Sequence, residues 1–147
     1  MKIMAVASGG GHWVQLLRMR PAYQDHDVVY VTVPGGPRDG LDPARVVHVN
    51  DASAWDKAKL ALLAARMVMV VARYRPDAII TTGAAPGYLA IRIGRRLGAR
   101  TVWVDSIANS GEMSRAGRMA RPYADLWLTQ WEHLAEDGGP SYRGAVV

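Results

Sequence analysis

Short aliphatic and β-branched runs alternate with stretches of helical periodicity along this chain, and no other property restricts its fold as strongly. Lys2 to Ala7 is an apolar run stopped by Ser8 and three glycines, the pattern of a first strand. Gly11 to Arg20 carries Val14, Leu16 and Leu17 at helical spacing and ends before Pro21. Val28 to Val33 reads as strand two, closed by Pro34, Gly35 and Gly36, and Arg45 to Val49 as a weaker strand three. The pattern predicts a long helix from Ser53, its expected N-cap, to Tyr74, with Pro76 barring continuation. Asp77 to Thr81 reads as strand four with "TTGAAPG" (81–87) as its exit loop, Tyr88 to Leu97 as a helix closed by Gly98, and Thr101 to Val104 as strand five. A helix over roughly Met113 to Ala120, a strand over Leu126 to Thr129 and a short strand in the closing "RGAVV" complete the series.

Such alternation implies an α/β domain with a parallel sheet. Right-handed crossovers that cover both faces give the doubly wound order 3-2-1-4-5-6. With 147 residues and no repeat or linker, residues 1–147 form a single domain. In that order strands one and four are neighbours and the chain switches direction between them. Ligands of open α/β sheets bind in this crevice, outside the carboxyl ends of the strands. "SGGGH" and "TTGAAPG", far apart in the chain, therefore flank one cleft.

Each of these loops feeds a helix N-terminus, where free backbone N–H groups and the helix dipole favour an anion. Ser8, Gly9, Gly10 and Gly11 on one side, and Thr82, Gly83, Ala84, Pro86, Gly87 and Tyr88 on the other, are candidates to hold a phosphate or pyrophosphate. The competing reading is that these glycines serve helix–strand packing alone. A Walker A loop would need Gly-Lys-Ser/Thr where this chain has Gly11-His12-Trp13. A dinucleotide fingerprint needs G-x-G-x-x-G and an acid closing strand two, and strand two ends Thr32-Val33-Pro34. Both uses fall away on spacing.

His12 stands at the first helix N-terminus, at the mouth of the cleft, where the dipole disfavours the imidazolium and leaves a group able to accept a proton. A hydrogen bond to a loop carbonyl is its alternative role. Asp105 ends strand five and opens "DSIANS", so Asp105, Ser106, Asn109 and Ser110 can line the same cleft or cap the helix that follows. "DHD" (25–27) has metal–nucleotide spacing but precedes strand two, at the wrong end of the sheet, and reads as a turn. No metal site is expected.

The chain has no cysteine, which fits a reducing compartment, and its start is too short for a secretory signal. No run reaches the ~18 apolar residues that span a bilayer. Net charge is +5, and nine arginines face three acids between Arg73 and Arg121. A solvated face, nucleic acid, an anionic membrane surface and a pyrophosphate substrate are all compatible with that excess. The helix ending at Tyr74 has only Arg66 interrupting its apolar residues from Leu60 to Ala72. A helix on a sheet needs one apolar face, so the surplus is expected to meet a partner chain, a membrane interface or a neighbouring helix.

"SGGGHWVQLLRM", "RPDAIITTGAAPGYLAIRIGRRLGARTVWVDSIAN" and "ADLWLTQW" together resemble the bacterial exopolysaccharide glycosyltransferase subunits called PssD and the wider asparagine-linked-glycosylation fourteen family. A more distant similarity is to the N-terminal half of MurG, the lipid-linked N-acetylglucosaminyltransferase. The resemblance implies one Rossmann-like domain, the N-terminal-type half of a GT-B glycosyltransferase, whose UDP-sugar-binding half is a separate partner chain. It implies inverting, metal-independent transfer from a UDP-sugar to a polyprenyl-diphosphate-linked acceptor in polysaccharide or glycolipid biosynthesis, without a cofactor. The acceptor hydroxyl loses a proton as it attacks, so a base is needed; His12 matches the family's loop histidine, with Asp105 as runner-up. The eukaryotic relatives begin with a membrane helix that this sequence lacks, so the resemblance implies a cytoplasmic chain attached peripherally to the membrane. The alternatives are a non-catalytic membrane scaffold that recruits a catalytic subunit, and an unrelated nucleotide- or nucleic-acid-binding α/β module.

Overall fold

In the computed structural model, which describes residues 1–37 and 40–147, the chain runs β1 (Lys2–Val6), α1 (Gly11–Arg18), β2 (Asp27–Thr32), β3 (Val46–His48), α2 (Lys57–Tyr74) and β4 (Ala78–Thr81). It continues through α3 (Ala84–Arg96), β5 (Arg100–Val104), α4 (Arg115–Ala120), β6 (Leu126–Thr129) and β7 (Ser141–Tyr142). The strands form one sheet in the order β3-β2-β1-β4-β5-β6-β7, and their pairings are parallel throughout. This is the Rossmann-like doubly wound architecture that the alternation predicts.

Strand β1 shows how the sheet divides its two faces. Successive side chains point to opposite sides of a strand. Ile3 and Ala5 pack with Trp13 and Leu16 of α1 and with Tyr23 and Tyr30. Met4 and Val6 pack with Leu63 and Met67 of α2 and with Ala90 and Ile91 of α3. The larger core therefore lies on the α2–α3–α4 side, and α1 covers the other face.

Most boundaries shift by a residue or two from the sequence expectations, and the larger differences lie at the starts of α2, α3 and α4 and at the last strand. Asp56, not Ser53, caps α2: its carboxylate accepts from the Lys59 N–H at 3.0 Å, one turn before the apolar periodicity sets in. Helix α3 starts at Ala84 instead of Tyr88, so only Thr82 and Gly83 remain as the exit loop of β4. Pro86 is tolerated there because the first turn needs no N–H from it. Gly87 has a packing reason: a Cβ on it would lie 2.0 Å from Thr81 Oγ1. Helix α3 thus seats directly on β4, and a glycine that looks like part of a turn is a contact point. Helix α4 starts at Arg115, after the Ser114 hydroxyl accepts from the Gly117 N–H at 2.9 Å. The last strand is Ser141–Tyr142, ahead of "RGAVV".

Candidate active site

Strands β1 and β4 lie side by side with Val6 opposite Thr81, and the chain leaves them in opposite directions. Gly10 (φ 64°) and Gly83 (φ 125°) are the N-caps of α1 and α3, both in the left-handed half of backbone space that glycine enters without a Cβ penalty. Among the described residues neither N-terminus has a side-chain cap, whereas α2 and α4 are capped by Asp56 and Ser114. The first-turn N–H groups at the crevice are thus left for solvent or a ligand, and the helix dipoles favour an anion there.

His12 and Thr82 join the two loops. His12 Nδ1 lies 2.9 Å from the Thr82 carbonyl oxygen, and the Thr82 hydroxyl donates to the His12 carbonyl at 2.6 Å. A carbonyl oxygen only accepts, so Nδ1 carries the proton and the lone pair of the neutral ring is on Nε2. Among the described residues Nε2 has no hydrogen-bond partner, and the imidazole is half-buried. The two roles read for His12 in the sequence, a loop hydrogen bond and a proton acceptor, are therefore compatible: one nitrogen serves each.

Asp105 is 2% exposed. Its Oδ1 accepts from Trp103 Nε1 at 3.0 Å and from the Ser114 hydroxyl at 2.5 Å. Its Oδ2 accepts from the Ser114 N–H at 2.8 Å and from Asn109 Nδ2 at 3.2 Å. Four donors hold this carboxylate, which fastens the 105–114 loop to β5. Ser106 is buried too, with its hydroxyl accepting from Gln15 Nε2 at 3.1 Å. Ser110 is exposed and its carbonyl pairs with His133 Nε2 at 2.6 Å.

Of the other sequence candidates, Ser8 and Gly9 are half-buried, and Gly10 and Gly11 are exposed at the crevice. Thr82 and Gly83 are buried beside His12, with Ala84 half-buried next to them. Pro86 and Gly87 are buried, Gly87 against β4, and so do not line the cleft. Tyr88 turns toward Tyr123, edge to face at 6.2 Å, and its hydroxyl accepts from Arg92 at 3.1 Å. The structure thus brings together the Ser8–His12 and Thr82–Ala84 segments and separates Pro86, Gly87 and Tyr88 from them.

Three residues of this region have no role in the sequence reading: Gln15, Gln130 and Trp103. Gln15 and Gln130 are buried and bond to each other at 2.6 Å beneath the loops. One signal was available for Gln15, a single uncharged polar residue between Trp13 and Leu16 on the buried face of α1.

A second surface lies on α2. The helix buries Leu63, Met67, Val70 and Val71 and leaves Leu62 57% and Met69 70% exposed. Trp55, in the loop before it, is 90% exposed. With the exposed Ala58, Ala65 and Ala72, these residues form one apolar stripe that begins at the carboxyl edge of the sheet. No helix among the described residues is long and apolar enough to cross a membrane, and no group of three or more metal-ligating side chains occurs among them.

No protein-family model matches the chain. It is similar to the UDP-N-acetylglucosamine transferase subunit ALG14 of Yarrowia lipolytica, with 24% identity over 99% of this chain and 81% of the relative. Among solved structures, MurG of Acinetobacter baumannii superposes on 99% of the chain with a TM-score of 0.76 and 12% identity. The UDP-N-acetylglucosamine 2-epimerase of Rickettsia bellii superposes on 90% with a TM-score of 0.68 and 14% identity. The chain spans 46% of that MurG and 39% of that epimerase, and these likenesses establish the fold. The resemblance of this chain to the PssD and asparagine-linked-glycosylation fourteen family holds along nearly its full length in sequence, and its fold is that of the matching part of MurG.

Proposed function

We propose that this chain is the acceptor- and membrane-side subunit of a two-chain inverting glycosyltransferase, which moves a sugar from a UDP-sugar to a polyprenyl-diphosphate-linked acceptor. The observation that carries this reading is His12, in the first turn of α1 beside the start of α3, whose Nδ1–H is committed to the Thr82 carbonyl while Nε2 has no hydrogen-bond partner among the described residues. In the reaction Nε2 takes the proton of the acceptor hydroxyl as that oxygen bonds to the anomeric carbon. The bond from that carbon to UDP breaks, and UDP leaves with the electron pair. The N–H groups that open α1 and α3 hold the acceptor diphosphate. Asp105, saturated by four donors, is a positioning group in this scheme. The α2 stripe with Trp55 lies against the cytoplasmic face of the membrane, helped by the arginine excess, and brings the cleft to a lipid-borne substrate. A partner chain of the UDP-sugar-binding type closes the cleft from the other side.

Purification of the tagged chain from native membranes tests this directly. The expected result is co-recovery of a small Rossmann-like chain, turnover by the pair and none by this chain alone. His12→Ala in the pair should lower kcat by about 10²- to 10⁴-fold, the usual contribution of a general base, with acceptor binding retained. Full turnover by the single chain refutes the two-chain reading. An unchanged kcat in His12→Ala would make the chain a scaffold.

A further inference from the structure

We infer that Thr82 and Gly83 are positioning residues that set the tautomer and orientation of His12, an inference resting on the proposed role of His12 as base. Thr82 addresses His12 twice, through its carbonyl to Nδ1 at 2.9 Å and through its hydroxyl to the backbone carbonyl at 2.6 Å. Position and ring orientation are thus held by one residue on the neighbouring strand's exit. The Thr82 carbonyl is itself fixed from both sides. Thr81 Oγ1, under it, accepts from the Gly83 N–H at 3.1 Å. The backbone beyond it passes through Gly83 at φ 125° and Ala84 at φ 64°, and the left-handed conformation at Ala84 is one that a non-glycine residue holds only where its surroundings enforce it.

Gly83 also sets the space for the ring. A Cβ added there would lie 3.1 Å from His12 Cε1, 3.2 Å from Nδ1 and 3.7 Å from Trp103 Cζ2. The glycine is wedged between imidazole and indole, and the indole is in turn held by Trp103 Nε1 donating to Asp105 Oδ1. Asp105 therefore reaches His12 through Trp103 and Gly83 without touching it. Histidine side chains in water favour the Nε2–H form, which has no lone pair on Nε2. The Thr82 carbonyl reverses that preference, as the orienting partner of a catalytic imidazole must.

The test is long-range 1H–15N correlation on the full chain labelled with 15N-histidine, with the His12 signals assigned by their loss in His12→Gln. Wild type and Thr82→Ser should show neutral His12 as Nδ1–H. Thr82→Val, which keeps the carbonyl but frees the start of α1, and Gly83→Ala, which pushes the ring, should each lower the Nδ1–H to Nε2–H ratio roughly three- to tenfold, about the worth of one net hydrogen bond. If Gly83→Ala does not fold, Thr82→Val decides alone. Nε2–H in wild type, or an unchanged ratio in the folded variants, overturns the inference. A shifted tautomer with unchanged kcat in the two-chain enzyme would leave the positioning intact and refute the base role, so the two failures are distinguishable.

Discussion

Gln15 and Gln130 meet side chain to side chain at 2.6 Å, across 115 residues of sequence. Gln15 Oε1 also accepts from the Ile107 N–H at 3.1 Å, and Gln130 Nε2 also donates to the Asp105 carbonyl at 2.9 Å. Gln130 Oε1 accepts from the Val146 N–H at 2.8 Å. This buried pair ties the first helix, the exits of β5 and β6 and the last residues into one floor beneath the crevice.

Gln130→Leu should therefore destabilise the fold more than its polarity alone suggests, because it strands several buried groups at once. A loss of about 2–3 kcal/mol is expected, seen as a melting temperature lower by roughly 5–10 °C. Gln24→Leu, on the exposed surface, should stay within about 0.5 kcal/mol of wild type and serves as control. Equal melting temperatures for the two variants would show that the floor contributes nothing.

Gly87→Ala tests the seating of α3 on β4. Alanine raises helix propensity by about 1 kcal/mol, but the added Cβ would stand 2.0 Å from Thr81 Oγ1 and 3.0 Å from Thr81 Cβ, inside a buried strand. Overpacking by about 1–3 kcal/mol or more should win. Thr81→Ala in the same chain should recover part of the loss in a double-mutant cycle followed by urea denaturation. A stabilised single variant would mean that the glycine serves the turn and not the contact.

The α2 stripe gives a prediction in which stability and binding separate. Leu62→Asp with Met69→Asp alters two exposed side chains, so the unfolding midpoint should barely move. Flotation with vesicles containing anionic phospholipid should fall several-fold, since apolar burial and electrostatic attraction act together at such a surface. Binding that persists in the variant would place the membrane contact elsewhere.

Tyr23 makes stability depend on alkaline pH. Its phenol is raised well above the ordinary tyrosine range, first by burial and then by the neighbouring Tyr30, against a smaller opposing effect of Arg20. The hydroxyl donates to the Leu16 carbonyl at 2.6 Å. A group whose folded value is raised contributes stability below its unfolded value and loses it as pH climbs past that value. The melting temperature should thus be level in Tyr23 terms up to pH of about 10 and fall above it. Tyr23→Phe should start about 1 kcal/mol lower and lose less of its stability between pH 9 and pH of about 11. Parallel curves for both proteins would exclude Tyr23 as the source.

Periodicity and turn chemistry determine a great deal in this chain. β-branched runs closed by glycine and proline, helical spacing between them and the right hand of parallel crossovers are local properties, and they are sufficient for the order of six strands and for the crevice between β1 and β4. They also put His12 and Thr82 at that crevice. Residue type does not say which of two acceptable caps is used, and Asp56 displaces Ser53 because its carboxylate meets a free N–H. Nor does it tell a turn glycine from a packing glycine: Gly83 and Gly87 stand in one motif, and only the approach of α3 to β4 separates them. The bond from His12 to Thr82, the pair Gln15 and Gln130, and the four donors around Asp105 are decided by tertiary structure alone. A buried polar group takes whichever partner the packed backbone presents, and that partner has no local signature in the sequence.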